Sequence, residues 1–279
     1  MNVLSLFDGM SCGQIALDNL GIKVDKYFAS EIDKYAMEIA KKNFPDTIHV
    51  GNVEFVTKSM LNNKIDLIIG GSPCQGVSRA GKGLNFEDPR SKLFFEFVRL
   101  IKECKPKYFM LENVKMNKES RDIISKYLGV EPIYIDSALL SAQTRKRYYW
   151  TNIPNISGPI DKGIILKDII QTTEDLKGSK VDERMVTNKG KAYCLTARYS
   201  GATWWNSIER SQRTMIRTVN QGIINEKYNW RKLTPIECER LQTVPDNYTE
   251  GVSNSQRYKM LGNGWTVKVI EHVLTNMDV

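Results

Sequence analysis

The sequence predicts an α/β fold, with a mostly parallel sheet and a second, smaller domain, from three observations. Short apolar runs alternate with amphipathic stretches over residues 1–153, the pattern of a sheet covered by helices on both faces. The alternation then gives way to prolines, glycines and short polar segments. A last amphipathic stretch returns within Gln256–Met277. We therefore predict one domain of residues 1–154 plus 256–279 and a smaller domain of residues 155–255.

Six short strands and two clear helices are expected in the first domain. The first helix, Gln14–Leu20, ends at Gly21, a residue suited to the left-handed position after a helix. The second, Ser91–Cys104, has its apolar residues on one face and Ser91 as candidate N-cap. The strands are Val3–Phe7, Tyr27–Glu31, Asp66–Ile69, Tyr108–Glu112, Pro132–Asp136 and Arg147–Asn152.

The composition indicates a globular protein and is compatible with a nucleic-acid partner. The chain has 279 residues, 41% hydrophobic and 26% charged, as in an ordinary globular protein. Its net charge of +8 fits an anionic partner such as nucleic acid, although many basic proteins bind none. With no run of 18 apolar residues and no signal peptide, the default expectation is a cytoplasmic protein without a membrane partner.

The cysteines point to a reactive thiol and away from a metal or a disulfide framework. There are five of them without a close pair, and only two histidines. We therefore expect no metal site, and we look for a catalytic cysteine.

Glycine-rich and acidic residues follow the first two predicted strands, where ligands of parallel sheets bind. The predicted turn contains Phe7, Asp8, Gly9 and Met10, and its glycine would let a ligand approach the backbone. The same residues are also typical of an ordinary tight turn that binds no ligand. The turn lacks the G-x-G-x-x-G spacing of dinucleotide sites. Glu31 can accept hydrogen bonds from ribose hydroxyls, or it can be a solvated loop residue, and these two interpretations are about even.

The sharpest feature is the segment G-G-S-P-C-Q-G-V-S at residues 70–78, which follows a predicted strand. Cysteine is often just a small buried residue, but on a glycine-rich turn near a helix N-terminus its nucleophilic thiolate can be stabilised. We therefore predict that Cys74 is a nucleophile. Glu112 ends the next strand, and three cations enter a later one at Q-T-R-K-R (143–147).

Taken together, these segments resemble the cytosine-5 DNA methyltransferase family, in order as well as in content. The resemblance covers all of the chain except about 155–230. The stretch around Leu93 and the ending Trp265-Thr266-Val267 look most like the branch of the vertebrate de novo enzymes and related phage and bacterial enzymes. The matching motifs are F-D-G-M-S-C-G (7–13), Glu31, G-N-V (51–53), G-G-S-P-C-Q (70–75), E-N-V (112–114), Q-T-R-K-R (143–147), R-K-L-T-P-I-E-C-E-R-L-Q (231–242) and L-G-N-G-W-T-V (261–267).

The resemblance implies a Rossmann-like sheet that binds S-adenosylmethionine (SAM) and a small target-recognition domain. Cys74 would add to C6 of a cytosine flipped out of double-stranded DNA, so that C5 takes the SAM methyl group and S-adenosylhomocysteine is released. Glu112 would bond N3 and the exocyclic amine. Arg145 would hold the base and orient this carboxylate, with Arg147 as a less certain partner.

The family also suggests which residues surround each ligand. One departure is Asn52, where the family usually has Asp. Asn keeps an acceptor for the adenine amino group but loses the charge, so we expect SAM binding to survive. The implied SAM contacts are Phe7, Asp8, Gly9, Met10, Glu31, Asn52, Val53, Pro73, Leu93, Asn263 and Trp265.

DNA contacts are expected from a loop of residues 75–92 and from the small domain. Arg231 and Glu237 are instead expected to build the small domain. The candidate DNA contacts are Gln75, Ser78, Arg79, Lys82, Arg198, Tyr199, Arg210 and Arg213, with Trp204 and Trp205 as further guesses.

Two alternatives stay open. One branch of the family performs the same chemistry on tRNA, and some members are catalytically silent DNA-binding regulators, against which the intact Cys74, Glu112 and Arg145 argue. We expect a monomer, and a partner restriction endonuclease is compatible with the sequence. The recognition sequence cannot be read from the chain.

Overall fold

The computed structural model describes residues 1–73, 89–171, 190–217 and 230–278. The predictions for Cys74, Gln75, Ser78, Arg79 and Lys82 therefore fall outside the described residues.

The chain divides into two compact units. The first contains Met1–Ile135, Lys146–Gly158 and Ile270–Val279, and the second contains Asp136–Arg145 and Pro159–Val269. Compared with the predicted division, the second unit also takes in residues 136–145, which end within the Q-T-R-K-R motif. It also contains the whole of the L-G-N-G-W-T-V motif at residues 261–267.

The first unit is built on a seven-stranded sheet of order β3-β2-β1-β4-β5-β7-β6. β1 pairs in parallel with β2 and β4, and β4 pairs in parallel with β5, whereas β7 is antiparallel to β5. The carboxyl ends of β1, β2, β4 and β5 therefore lie at one edge. The strands are β1 Asn2–Leu6, β2 Lys26–Ser30, β3 Ile48–His49, β4 Leu67–Gly70, β5 Tyr108–Val114, β6 Ile133–Asp136 and β7 Lys146–Thr151.

The predicted α/β class is confirmed, and so are the six predicted strands, each within two residues at either end. β3 was not predicted, because this strand at the edge of the sheet has only two residues. α1 ends before Gly21, whose φ of 67° is left-handed as expected. Ser91 is not the N-cap of its helix, because α4 already begins at Pro89.

Helices and apolar strands bury each other in this unit. Leu4, Ile68 and Leu111 come from three neighbouring strands and are fully buried, and Phe94 and Phe97 of α4 pack in the same core. Such near-continuous apolar strands are typical of a parallel sheet covered on both faces. The helices are α1 Cys12–Asn19, α2 Lys34–Asn43, α3 Lys58–Leu61, α4 Pro89–Cys104 and α5 Lys118–Leu128.

The second unit has short helices and a two-stranded antiparallel sheet, β8 Met215–Arg217 and β9 Trp230–Lys232. Arg231 forms a two-pronged ion pair with the fully buried Glu237, with N–O distances of 2.8 and 2.9 Å. This contact is of the structural kind expected for both residues. The helices are α6 Leu166–Ile169, α7 Trp204–Ile208, α8 Pro235–Leu241, α9 Asn254–Asn263 and α10 Val267–Leu274, whose last five residues belong to the first unit.

Over the described ranges, no helix combines the length and the apolar character that crossing a bilayer requires.

Candidate active site

The turn after β1 has an unusual backbone. Phe7, Gly9 and Ser11 all have positive φ, at 58°, 60° and 63°. This region is uncommon for residues other than glycine, and such conformations often mark ligand-binding positions. A Cβ added at Gly9 would meet nothing within 4 Å, so this side of the turn is open to a ligand.

Asp8 holds this turn from the inside. One carboxylate oxygen accepts a hydrogen bond from Tyr27 Oη at 2.8 Å, and the other accepts one from Ser11 Oγ. Burial raises the pKa of Asp8 to about 6, although these hydroxyl donors act in the opposite direction. Because Asp8 is 7% exposed and both its carboxylate oxygens accept hydrogen bonds, its side chain holds the turn together, and the SAM contact expected of this residue stays a prediction.

Glu31 closes the turn against the end of β2. Its Oε2 accepts from Gly9 N at 2.8 Å, and its Oε1 accepts from Ile32 N and Asp33 N at 2.7 and 2.8 Å. A carboxylate has about four acceptor positions, so three backbone bonds fix Glu31 while leaving it capacity for a ligand hydroxyl.

The segment of residues 52–55, which follows β3 at the same edge of the sheet, adds an amide and apolar surface. Asn52 Oδ1 accepts from Glu54 N at 3.2 Å, and its Nδ2 donates to Glu54 Oε2 at 3.2 Å. Ile32 and Phe55, which the sequence analysis did not single out, are 75% and 72% exposed. Exposed apolar side chains beside a fixed carboxylate and an amide fit a molecule such as SAM, which has a flat base and a ribose.

Four predicted SAM contacts lie mainly in packed positions. Met10 is 1% exposed and Val53 is 3% exposed, so their side chains offer almost no surface to a ligand. Val53 belongs to the hydrophobic core, and Phe7 and Leu93 pack against that core while half-buried. Pro73, the last described residue before Cys74, is exposed.

The turn that leads to Cys74 is anchored on both sides. A Cβ at Gly70 would lie 3.0 Å from Leu6 O and from Phe97 Cε2, so the close approach of β1 and α4 favours glycine there. Asn113 Nδ2 donates to both the backbone oxygen and Oγ of Ser72, each at 3.2 Å. Asn113 is a positioning residue that sequence reasoning did not single out, although it lies in the E-N-V motif.

Glu112 forms an ion pair with Arg147, whose Nε lies 2.8 Å from Glu112 Oε1. Arg147 sits opposite Val114 across the β5–β7 pairing, two positions along from Glu112, so both side chains occupy one face of the sheet. The side chains are 11% and 14% exposed, which limits screening by water. The ion pair makes Arg147 a partner of this carboxylate in the structure, and the catalytic roles expected of both residues stay predictions.

Arg145 belongs to the second unit and is 4% exposed. Its Nη1 donates to Leu195 O and its Nη2 to Gly264 O, both at 2.8 Å. These partners are backbone carbonyls of its own unit, and they tie the guanidinium to that unit's interior.

The DNA contacts predicted in the second unit have different exposures. Tyr199 is 2% exposed, and its hydroxyl donates to Thr214 O at 2.5 Å and accepts from Leu233 N at 2.8 Å, so these bonds hold it inside the second unit; the DNA contact expected of it stays a prediction. Arg198 and Arg210 are exposed, and half-buried Arg213 donates to Gly201 O at 2.6 Å.

The described cysteines contrast with the role predicted for Cys74. Cys12, Cys104 and Cys238 are buried and Cys194 is half-buried, all without disulfide bonds. Burial raises the pKa of the Cys104 thiol, and it raises the pKa of Cys238 well above its usual value. Because the thiolate is the nucleophile, these two buried cysteines are unsuited to attack.

The chain is similar to known cytosine-specific DNA methylases over most of its length. A family model described as C-5 cytosine-specific DNA methylase matches residues 1–128 and 137–278. The type II methyltransferase M1.ScrFI of Lactococcus lactis subsp. cremoris is 33% identical over 287 aligned residues, which cover 91% of this chain and 72% of that protein. The type II methyltransferase M.HhaI of Haemophilus parahaemolyticus is 27% identical, covering 99% of this chain and 94% of its own length.

Among solved structures, the methyltransferase EhMeth of Entamoeba histolytica is similar with a TM-score of 0.75 and 19% identity, covering 99% of this chain and 97% of its own. At this identity the likeness shows the fold alone.

Proposed function

The chain belongs to the C-5 cytosine-specific DNA methylase family, and from this premise we propose that Cys74, Glu112 and Arg147 carry out methyl transfer to C5 of a cytosine in double-stranded DNA. The observation that carries the proposal is the Glu112–Arg147 ion pair at the end of β5. β5 adjoins β4, and the chain continues from the end of β4 into the Gly-Ser-Pro turn before Cys74.

The proposed chemistry begins with Cys74. Cytosine C5 is a poor nucleophile, and addition of the Cys74 thiolate to C6 forms an S–C6 bond while moving electron density to C5. SAM, when bound, would supply an electrophilic methyl group to C5, with cleavage of its sulfur–methyl bond and release of S-adenosylhomocysteine. Loss of the C5 proton and cleavage of the S–C6 bond then restore the aromatic ring and the free cysteine.

Glu112 would stabilise the negative charge that develops during this addition by providing a proton to N3 of cytosine and accepting a hydrogen bond from its exocyclic amine. Its position suits the task because Arg147 fixes one carboxylate oxygen, so little reorganisation is needed when the base arrives. Arg147 therefore takes the orienting role that the sequence analysis gave to Arg145.

We further propose that SAM is held at the edge formed by β1, β2 and the Asn52 segment. Glu31 would accept from ribose hydroxyls, Asn52 would accept from the adenine amino group, and Ile32 and Phe55 would cover the base. The open side of Gly9 and the fixed carboxylate of Glu31 support this assignment.

The second unit is the proposed target-recognition domain. A base in duplex DNA must be flipped out before Cys74 can reach it, at a cost of a few kcal/mol. Exposed Arg198 and Arg210 are suited to phosphate or base contacts, and the charge of +8 favours DNA. Because relatives are named type II methyltransferases, a restriction endonuclease of the same specificity is the proposed partner.

The test uses duplex DNA containing 5-fluorocytosine, whose C5 carries no proton to lose, together with SAM and the full-length chain. The wild-type chain should form a stable covalent adduct seen as a gel shift, and the Cys74→Ser variant should form none. Absence of an adduct with the wild-type chain would favour a silent regulator. Incorporation of labelled methyl into tRNA, and not into DNA, would overturn the choice of substrate.

A further inference from the structure

One loop of the second unit carries an exposed indole ring. Trp205 is 54% exposed, and its ring centroid lies 6.5 Å from that of Trp204, at an interplanar angle of 42°. Single exposed apolar side chains are ordinary on protein surfaces. Trp205 differs from such a residue in the bonds that hold its loop and in the charges around it. We call residues 198–213 the tryptophan loop.

The two ends of the tryptophan loop are tied together by Tyr199. Its hydroxyl donates to Thr214 O at 2.5 Å, and Thr214 directly follows the loop. The same hydroxyl accepts from Leu233 N at 2.8 Å, just after β9. Thr214 Oγ1 also accepts from Tyr193 N at 2.8 Å. Since Tyr199 and Thr214 are both buried, the loop begins and ends in the interior of its own unit.

The helical turn that carries Trp205 is bonded on both sides of this residue. α7 begins with a capping box, in which Asn206 N donates to Thr203 Oγ1 at 3.4 Å and Thr203 N donates to Asn206 Oδ1 at 3.0 Å. Asn206 Nδ2 also donates to Gly201 O at 3.2 Å. Because the backbone around Trp205 is fixed in this way, little ordering remains to be imposed on it when a partner binds.

The charges of the tryptophan loop are mainly positive. Arg198 and Arg210 are exposed. Lys232 of β9 is exposed as well, and its Nζ reaches the loop by donating to Ser200 O. The single acidic residue of the loop is Glu209. An aromatic ring among cations is a combination with which proteins bind nucleic acids, through base stacking and phosphate contacts.

A nucleic acid duplex is the partner that this surface fits. Arg210 N donates to Trp205 O at 3.3 Å, so a cation lies within one turn of the exposed ring. Phosphate contacts position a protein on DNA, and an apolar wedge that enters between two base pairs unstacks that step and kinks the duplex. Pyrimidine–purine steps such as TA unstack easily. A ring that enters DNA therefore favours sites that contain such a step.

We propose that Trp205 enters duplex DNA between two base pairs and stacks on a base, while Arg198, Arg210 and Lys232 contact the phosphates around that step. This inference rests on the proposed function in its choice of DNA as the duplex. It adds a second source of specificity, because the second unit then selects DNA by the ease with which a base step opens and not by base edges alone.

The first experiment compares two duplexes without cytosine, alternating d(AT) and an A-tract of the same length. Both have the same charge and composition, but only the alternating duplex contains flexible TA steps. In fluorescence anisotropy, the wild-type chain should bind the alternating duplex more tightly than the A-tract. Trp205→Ala should weaken binding to the alternating duplex about 5–150-fold and so remove the preference. Trp205→Phe keeps a flat ring and should retain most of the preference.

Ile160→Ala is the matched control, because Ile160 is an 81% exposed apolar residue of the same unit outside the tryptophan loop. This variant should bind both duplexes like the wild-type chain. Arg210→Gln should weaken binding to both duplexes equally, and its slope of log K against log salt should be smaller by about 0.9, the value for one phosphate contact. A wild-type chain without the preference, or a Trp205→Ala variant that keeps it, would overturn the proposal.

The second experiment measures the kink, by energy transfer between dyes at the two ends of an A·T duplex with a single central TA step. Transfer should rise when the wild-type chain or Arg210→Gln saturates the duplex, and it should stay unchanged with Trp205→Ala. An equal rise with Trp205→Ala, tighter binding of the wild-type chain to an alternating r(AU) duplex, or self-association that Trp205→Ala abolishes would each overturn the proposal. Absence of the 5-fluorocytosine adduct would overturn the proposed function, whereas these cytosine-free duplexes would still decide the role of Trp205.

Discussion

The carboxylates and arginines of the family motifs have different surroundings in the two units. In the first unit, Glu31 accepts three backbone hydrogen bonds at the carboxyl edge of the sheet and retains acceptor capacity, and Glu112 forms an ion pair with Arg147. In the second unit, Glu237 and Glu239 are fully buried and bound to arginines and backbone groups. A bound group with spare capacity can serve a ligand, and a saturated buried group serves the fold.

Two arginines in one motif illustrate the difference. Arg147 in the first unit pairs with Glu112 on the sheet face, and Arg145 in the second unit binds backbone carbonyls of its own interior. Occurrence in a shared motif therefore does not distinguish chemistry from architecture, whereas burial and the number of bonds already made do. This comparison predicts which variants should lose stability and which should lose rate.

The largest effect is expected from Glu239→Ala in the second unit. Glu239 accepts from Asn247 N at 2.7 Å, from Thr249 N at 2.8 Å and from Arg257 Nη2 at 2.9 Å, with all of these groups packed in one network. Removing one partner of a buried ion pair typically costs about 3–5 kcal/mol. Urea denaturation should show a decrease of this size in the free energy of unfolding. A decrease below about 1 kcal/mol would contradict the structural role that the comparison of the two units assigns to Glu239.

The counterpart in the first unit is Glu112→Gln, which should affect rate more than stability. The amide cannot provide a proton to N3 of cytosine as negative charge develops on the ring, and loss of one such contact to the developing charge typically lowers kcat about 10²–10³-fold. The free energy of unfolding should change by about 1 kcal/mol or less, since a neutral acceptor still faces Arg147. Single-turnover methylation and urea denaturation measure the two quantities, and a larger loss of stability than of rate would contradict this assignment.

Much of the first unit could be predicted because its signals are local. Apolar runs identified six strands, and the ends of those strands placed Glu31 and Glu112 at the sheet edge. The short pairing of β3 was not predictable, because a two-residue strand has no periodicity. Asn113 could not be assigned to Ser72 because that partner is 41 residues away in the sequence.

The second unit resisted prediction because its order comes from buried polar contacts between distant segments. Sequence rules place Gln, Arg and Tyr at surfaces or interfaces, so the burial of Gln143, Arg145 and Tyr199 was not visible in the pattern. The sequence therefore predicts a DNA contact for Tyr199 and a base contact for Arg145, and it gives no sign of the buried bonds that both side chains make in the structure.

A smaller effect, with a pH signature, is expected at Asp8. Its pKa is raised by burial to about 6, above the ordinary value of 3.8, so the folded chain binds this proton more tightly than the unfolded chain does. The stability that protonation contributes is therefore fully present below about pH 4 and is lost as pH rises toward 6. Asp8→Asn removes this titration, so the variant should gain about 2–3 kcal/mol relative to wild type between pH 4 and pH 7.

Asp246 in the second unit is the control for this pH experiment, because its shift has the opposite sign. The Arg240 guanidinium lowers the pKa of Asp246 below 3.8 through hydrogen bonds of 2.6 and 2.9 Å. Its contribution is present above pH 4 and is lost as pH falls further. Asp246→Asn should therefore differ from wild type least at pH 3, and urea denaturation at several pH values measures both variants. Parallel pH dependence of the two variants would contradict the environments described for these carboxyls.

The smallest effect concerns Asn52, where the family usually has Asp. A charged acceptor binds an amino group more strongly than a neutral one, by about 1 kcal/mol, so Asn52→Asp should bind SAM more tightly. The gain should be small because Asn52 Nδ2 donates to Glu54 Oε2, and an aspartate there would replace this bond with repulsion between carboxylates. The double variant Asn52→Asp/Glu54→Gln removes the repulsion and should gain more, up to about tenfold in the Kd for SAM. Calorimetry on both variants, with Glu54→Gln alone as control, measures the change, and equal affinity in all three would show that Asn52 does not contact SAM.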